Sequence, residues 1–305
     1  MKFIIIGAGS IGGLFGSILF NAGQDVTLVD INLEIVTAIK NNGLKIKRGE
    51  IEQVLPIKIT DKIEEAGTPD IIIFAVKSYD NITAAQDCKK IMAPHSILLT
   101  MQNGIGNYET ISSILGEEQV FVGTTTFGST MFPVGQIVAS ETGSISIGEY
   151  SGGITERVSF LAKALRNGGF EIHEVENVNS LVWTKLIVNV GINPIGALTK
   201  LRNLYTKENK DASYVQNMLI TEAVEVAKAK GISLACDNPY EYVYSVCKST
   251  AMNKASMYQD VEKGNRTEIR AINGAIADEG KKYGIPTPVN DIITHLVIAR
   301  ESGDK

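Results

Sequence analysis

The chain has 305 residues, 44% hydrophobic and 21% charged, with a net charge of −5. That length supports two cores and the composition is that of an ordinary globular protein. The acidic balance excludes electrostatic binding to nucleic acid or to an anionic membrane; no apolar run reads as a membrane span, and the opening residues read as a strand rather than a secretory signal, so a cytoplasmic protein is expected.

Residues 3–6 (Phe-Ile-Ile-Ile) have the pattern of a strand buried in a parallel sheet. Gly7, Gly9 and Gly12 follow in G-x-G-x-x-G spacing, and helical apolar spacing continues over 14–21. Gly7 permits a tight turn, Gly9 lets the backbone approach a pyrophosphate, and Gly12 allows close helix–strand packing. With Ser10 and Ile11 they form a loop at a helix N-terminus, which suits phosphate charge. Glycines in a merely structural turn would need no ligand; the strand before and the helix after favour dinucleotide binding. A second strand over 26–29 leads to Asp30, placed to accept ribose hydroxyls and to repel a 2′-phosphate. No Arg or Lys follows through Glu34, so NADH is favoured over NADPH. The competing reading is that Asp30 caps the helix beginning near Leu33.

Further strands are predicted over 71–75, 96–99, 120–123, 135–139 and 144–148, with helices over 33–41, 82–91 and 106–114. A helix over 155–167 and a last strand over 170–173 close this half. The alternation is that of an open parallel sheet, with an antiparallel edge among the late strands. Lys77 and Asn103 each follow a strand, on the rim where such sheets bind ligands. Lys77 reads as a cation near cofactor phosphate or ribose, against a solvated loop lysine. Asn103 precedes Gly104 in a turn, where its amide could meet nicotinamide or substrate.

From about residue 177 strand signals nearly vanish, and helices are predicted over 181–193, 211–230, 239–249, 268–283 and 288–301. We therefore expect a nucleotide domain over 1–176 and an all-α domain over 177–305, with a substrate cleft between them. Cys88, Cys236 and Cys247 read as reduced thiols, and with His95, His173 and His295 scattered, no metal is expected.

The helix over 181–193 carries Lys185, Asn189 and Asn193 four residues apart, among Leu186, Ile187, Val188, Val190 and Ile192. Each step of four advances roughly 40° beyond a full turn, so one ammonium and two amides share a face. That face suits a pocket that protonates one oxygen and grips others, against a snorkelling Lys with two turn-capping Asn. Near the C-terminal end, Asn253, Ser256, Asp260, Thr267 and Glu268 are polar residues with ordinary readings as loop or cap groups.

Together these segments resemble the ketopantoate reductase (2-dehydropantoate 2-reductase) family over essentially the whole chain. The resemblance rests on the glycine loop, Val76-Lys77, Gln102-Asn103-Gly104, the Lys185/Asn189/Asn193-Pro194 run and the Ser256, Asp260, Thr267-Glu268 segment. It implies an α/β N-terminal Rossmann-type domain and an all-α C-terminal domain of the 6-phosphogluconate dehydrogenase-like kind. It implies Lys185 as the proton donor to the ketone oxygen and Glu268 as the acid that holds the substrate hydroxyl and positions the lysine. It further implies Asn189, Asn193, Asn203, Asn253 and Ser256 as substrate contacts, with Ser256 at the carboxylate, and Lys77 and Asn103 as cofactor and cleft contacts.

Asp30 departs from the pattern, because many members carry a basic residue there and use NADPH. The implied reaction is NAD(P)H-dependent reduction of ketopantoate to pantoate, for pantothenate and coenzyme A. An NAD-dependent D-2-hydroxyacid dehydrogenase on the same fold is the alternative, and a non-catalytic NAD(P)-sensing module the third reading. The expected partner is a small 2-keto acid, with a homodimer as the assembly to test.

Overall fold

Strand β1 (Lys2–Ile6) lies inside the main sheet of the first of two units in the computed structural model, which describes residues 1–302. This unit comprises Met1–Gln102 and Asn107–Val178. After β1 come α1 (Ser10–Asn21), β2 (Asp25–Val29), α2 (Leu33–Asn42), β3 (Leu44–Arg48), β4 (Ile51–Leu55) and β5 (Lys58–Thr60). Then follow β6 (Ile71–Phe74), α3 (Asn81–Ile91), β7 (Ile97–Thr100), α4 (Asn107–Leu115) and β8 (Val120–Thr125). The unit closes with β9 (Ser129–Met131), β10 (Gln136–Ala139), β11 (Ser144–Gly148), α5 (Glu156–Asn167) and β12 (Glu171–Glu174).

Eight strands pair in the order β12-β11-β8-β7-β6-β1-β2-β5. All neighbours are parallel except β11 against β8. Both faces of the central strands are covered, which is why they read as unbroken apolar runs. Phe3, Ile5, Ile71, Ile73 and Leu99 enter one core, and Ile4, Ile6, Ile72, Phe74 and Leu98 the other.

The parallel sheet and its antiparallel late edge match the sequence reading, although β12 returns parallel to β11. One strand is misplaced. Residues 136–139 belong to a separate four-stranded sheet, β4-β3-β10-β9, rather than to the main one. Its β3 and β4 went unread because their apolar residues alternate with charged ones (Leu-Lys-Ile-Lys-Arg, Ile-Glu-Gln-Val-Leu) and β4 is mostly exposed.

The second unit comprises Asn103–Gly106 and the chain from Asn179 on. Its elements are α6 (Val178–Thr199), α7 (Tyr205–Glu208), α8 (Lys210–Ala229), α9 (Pro239–Ser249), α10 (Ser256–Glu262), α11 (Asn273–Tyr283) and α12 (Pro288–Ser302). Trp183, Leu186, Ile187 and Val190 of α6 share a core with Leu219, Ala223, Ile276 and Val297. The side chains of Asn209 and Asn238 accept the first-turn amides of α8 and α9, the usual N-cap arrangement.

Two helices differ from the sequence reading. The first runs through Pro194 to Thr199 instead of ending before the proline. The helix expected from 268 instead begins as a 3-10 turn, Ile269–Ala271, and restarts as α11 after Ile272. By length and composition α6 could cross a membrane, contrary to the sequence reading, but 67% of its apolar window is buried within the protein.

Candidate active site

In the first unit the glycine loop joins β1 to α1. A Cβ on Gly12 would lie 1.8 Å from the Gly7 carbonyl oxygen, so helix and turn approach as closely as glycine alone allows. At Gly9 an added Cβ would meet nothing within 4 Å. Gly9 is also the N-cap of α1, which has neither a side-chain cap nor an acidic residue in its first turn. The first amides of α1, from Ser10, Ile11 and Gly12, therefore carry no side-chain cap, and the positive end of the helix dipole lies at the glycine loop. That cradle fits the pyrophosphate of a dinucleotide.

Asp30, at the end of β2, is partly buried. Its Oδ2 accepts the Ala8 amide at 2.6 Å and its Oδ1 the Asn32 amide at 2.8 Å. It does not cap α2; that role falls to Asn32, whose side chain accepts from Glu34. Each Asp30 oxygen retains a second lone pair for a ribose hydroxyl. Lys77 precedes a short turn at the end of β6. The backbone beside it is tied by Gln102, whose Nε2 donates to the Val76 carbonyl and to Asn81 Oδ1, each at 2.7 Å.

In the second unit Lys185 is partly buried on α6. Burial pushes its ammonium down to about 8, and the Glu268 carboxylate acts in the opposite sense, holding the proton on. Glu268 is itself 6% exposed, in the bend between α10 and α11. Asn103 Nδ2 lies 3.4 Å from Glu268 Oε2, a long contact. Asn103 is seated there because Ile105 donates to the Ala271 carbonyl at 3.1 Å. A Cβ on Gly104 (φ +85°) would meet that same carbonyl oxygen at 2.2 Å, so the Asn-Gly step depends on glycine. The structure thus groups Lys185, Glu268 and Asn103.

Asn189 and Asn193 follow on α6, Asn193 almost fully buried. Asn189 Nδ2 is buried with no hydrogen-bond partner among the described residues, and so is Asn203 Oδ1. Orphaned buried amide atoms are uncommon and mark places where a ligand group can complete the pairing. Asn203 also donates its backbone amide to the Asn253 carbonyl at 3.0 Å and its side chain to Thr250 Oγ1 at 2.9 Å. Asn203 and Asn253 are therefore neighbours. Asn253 and Ser256 are exposed, with Ser256 opening α10. Ala255 between them faces Gly196, where a Cβ would lie 3.7 Å from that of Ala255, so this loop runs along the end of α6.

The glycine loop, Asp30 and Lys77 lie in the first unit, and the candidate site residues Asn103, Lys185, Asn189, Asn193, Asn203, Asn253, Ser256 and Glu268 lie in the second. Sequence reasoning missed the Gln102 ties, the Asp30–Ala8 bond and a buried Asn273–Asn290–Glu222 network. Only the last had a signal: a proline inside a helix leaves one carbonyl in need of another donor.

Comparison with known proteins agrees along the whole chain. The family described as "Ketopantoate reductase PanE/ApbA" matches residues 3–152, and its C-terminal counterpart matches residues 177–301. A 2-dehydropantoate 2-reductase of Aquifex aeolicus is 35% identical, covering 99% of this chain and 97% of that protein. A PanE/ApbA family ketopantoate reductase structure from Ralstonia eutropha is similar at a TM-score of 0.91 and 27% identity, covering 99% of both chains. D-mandelate dehydrogenase, solved with NADH and anilino(oxo)acetate, is similar at 0.93 and 28%, again with 99% of both covered.

Proposed function

The chain belongs to the ketopantoate reductase PanE/ApbA family, and we propose that it reduces 2-dehydropantoate to pantoate with NADH favoured over NADPH. The observation that carries this is Lys185 on α6, whose ammonium burial brings to about 8 against the charge of the buried Glu268, with the Asn189 amide on the same helix left without a partner among the described residues.

The bound cofactor supplies the hydride to the keto carbon. The first α1 amides would hold its pyrophosphate, and Asp30 would accept from its ribose while disfavouring a 2′-phosphate. Lys77 and Asn103 serve as the cofactor-side polar contacts. Reduction of the carbonyl would place negative charge on the keto oxygen. Lys185 stabilises that charge and delivers its proton there. Its lowered proton affinity makes it a better acid near neutral pH than an exposed lysine.

Glu268 keeps the proton on Lys185 before the reaction and accepts the substrate's 4-hydroxyl. Asn189 and Asn203 complete their pairing on substrate oxygens, Asn193 and Asn253 line the same grip, and Ser256 donates to the carboxylate.

The likeness to D-mandelate dehydrogenase raises a second reading, a D-2-hydroxyacid dehydrogenase of broader acceptance, which fits less well than the reductase because the full-length relatives are 2-dehydropantoate 2-reductases. The two differ in whether the 4-hydroxyl is used. Steady-state reduction of ketopantoate, 2-ketoisovalerate and phenylglyoxylate, each with NADH and NADPH, separates them.

A further inference from the structure

Pro194 interrupts the hydrogen bonding of α6, and side chains from other helices make good the loss. Proline has no N–H, so the carbonyl four residues earlier, that of Val190, loses its helical donor. Val190 is fully buried, and an orphaned carbonyl there is costly. Asn273, the first residue of α11 and also fully buried, donates Nδ2 to the Val190 carbonyl at 3.2 Å and to Asn290 Oδ1 at 2.9 Å. Asn290 in turn donates to the Leu219 carbonyl at 3.2 Å and to Glu222 Oε2 at 2.7 Å. Glu222 accepts the Val289 and Asn290 amides at the start of α12, each at 2.9 Å. In the same turn of α6, Gln216 Nε2 donates to the Gly191 carbonyl at 3.3 Å.

The network therefore ends on the carbonyl that Pro194 exposes, in the turn separating Asn189 from Asn193. We propose that Asn273, seated by Asn290 and Glu222, is a positioning residue that fixes this turn and so sets the register of Asn193 against Lys185 and Asn189. The inference rests on the reading of those three residues as the substrate face. The network depends on Pro194, because a residue with its own N–H at position 194 would satisfy Val190 within the helix.

The test is a double-mutant cycle of Asn273→Ala and Pro194→Ala, read by kinetics and by hydrogen exchange of peptides covering 190–199. Asn273→Ala should lower kcat/KM for ketopantoate about tenfold or more, with the KM for NADH changed less than about twofold, as expected of a misplaced substrate grip. In the Pro194→Ala background the same change should cost less than about threefold, a non-additivity that marks a shared partner. Equal losses in both backgrounds, or a matching rise in the NADH KM, would overturn the proposal. Should Asn273→Ala fail to fold, folding of the double variant supports the proposal and its failure overturns it.

Hydrogen exchange needs no substrate. Faster exchange in Asn273→Ala that reverts in the double variant supports the positioning role, and unchanged exchange overturns it. A wild-type protein that fails to reduce ketopantoate sinks the functional reading alone, since the exchange cycle still decides this one.

Discussion

Asp30 Oδ2 accepts the Ala8 amide at 2.6 Å, so the residue proposed to read the ribose also ties down the glycine loop. The two roles are separable by experiment. Asp30→Ser should raise the NADPH to NADH ratio of kcat/KM about tenfold or more, because a carboxylate that repels the 2′-phosphate is gone. It should also raise the KM for NADH, since loop tie and ribose acceptor are lost together. A wild-type enzyme that already prefers NADPH strongly would leave Asp30 with the loop tie alone.

As the proposed proton donor Lys185 must be protonated to act, and burial lowers its pKa to about 8. Reduction, followed as kcat/KM, should therefore be full below that value and fall as pH rises through it; oxidation of pantoate should rise over the same range. Lys185→Ala should lower kcat about 10²-fold or more with the protein still folded. Lys185→Arg, which stays charged, should lose the alkaline limb. A profile flat to pH 10 in the wild type would remove Lys185 as the acid.

Glu268 raises the proton affinity of Lys185 against the effect of burial. Glu268→Gln should shift the alkaline limb of the reduction profile to lower pH. Glu268→Ala should damage turnover of ketopantoate more than that of 2-ketoisovalerate, which lacks the 4-hydroxyl, because a polar site left unpaired discriminates strongly. Equal losses on the two substrates, with a lowered Tm, would reduce Glu268 to a structural residue.

Asn189 Nδ2 is buried without a hydrogen-bond partner among the described residues, so losing that amide group removes no hydrogen bond of Nδ2 from the free protein. Asn189→Ala should leave Tm within a few degrees of wild type while raising the keto acid KM about tenfold, the cost of one lost hydrogen bond to a charged or strongly polar group. A large drop in Tm with unchanged KM would place Asn189 in the core rather than in the substrate grip.

Much of the fold was legible because the central strands and main helices carry strong periods. The run from Phe3 to Ile6 and the glycine spacing after it could hardly be read otherwise. The β3–β4 hairpin escaped because charged residues interrupt its short apolar alternation, and β10 was placed in the wrong sheet because strand partners are not written locally. Pro194 ended the predicted helix too early because Asn273, 79 positions away, supplies the missing donor. The Lys185–Asn189–Asn193 face was visible in helical spacing alone. The approach of Asn103 and Glu268 was not, since it depends on Gly104 closing against Ala271.

The central claim is reduction of a hydroxylated 2-keto acid, and its most direct test is the ratio of kcat/KM for ketopantoate to that for phenylglyoxylate with NADH. The account predicts that ketopantoate is preferred by about 10²-fold or more, because Glu268 is left unpaired by an analogue without the 4-hydroxyl. Phenylglyoxylate turned over as well as ketopantoate, or better, would contradict it and make this chain a general D-2-hydroxyacid dehydrogenase.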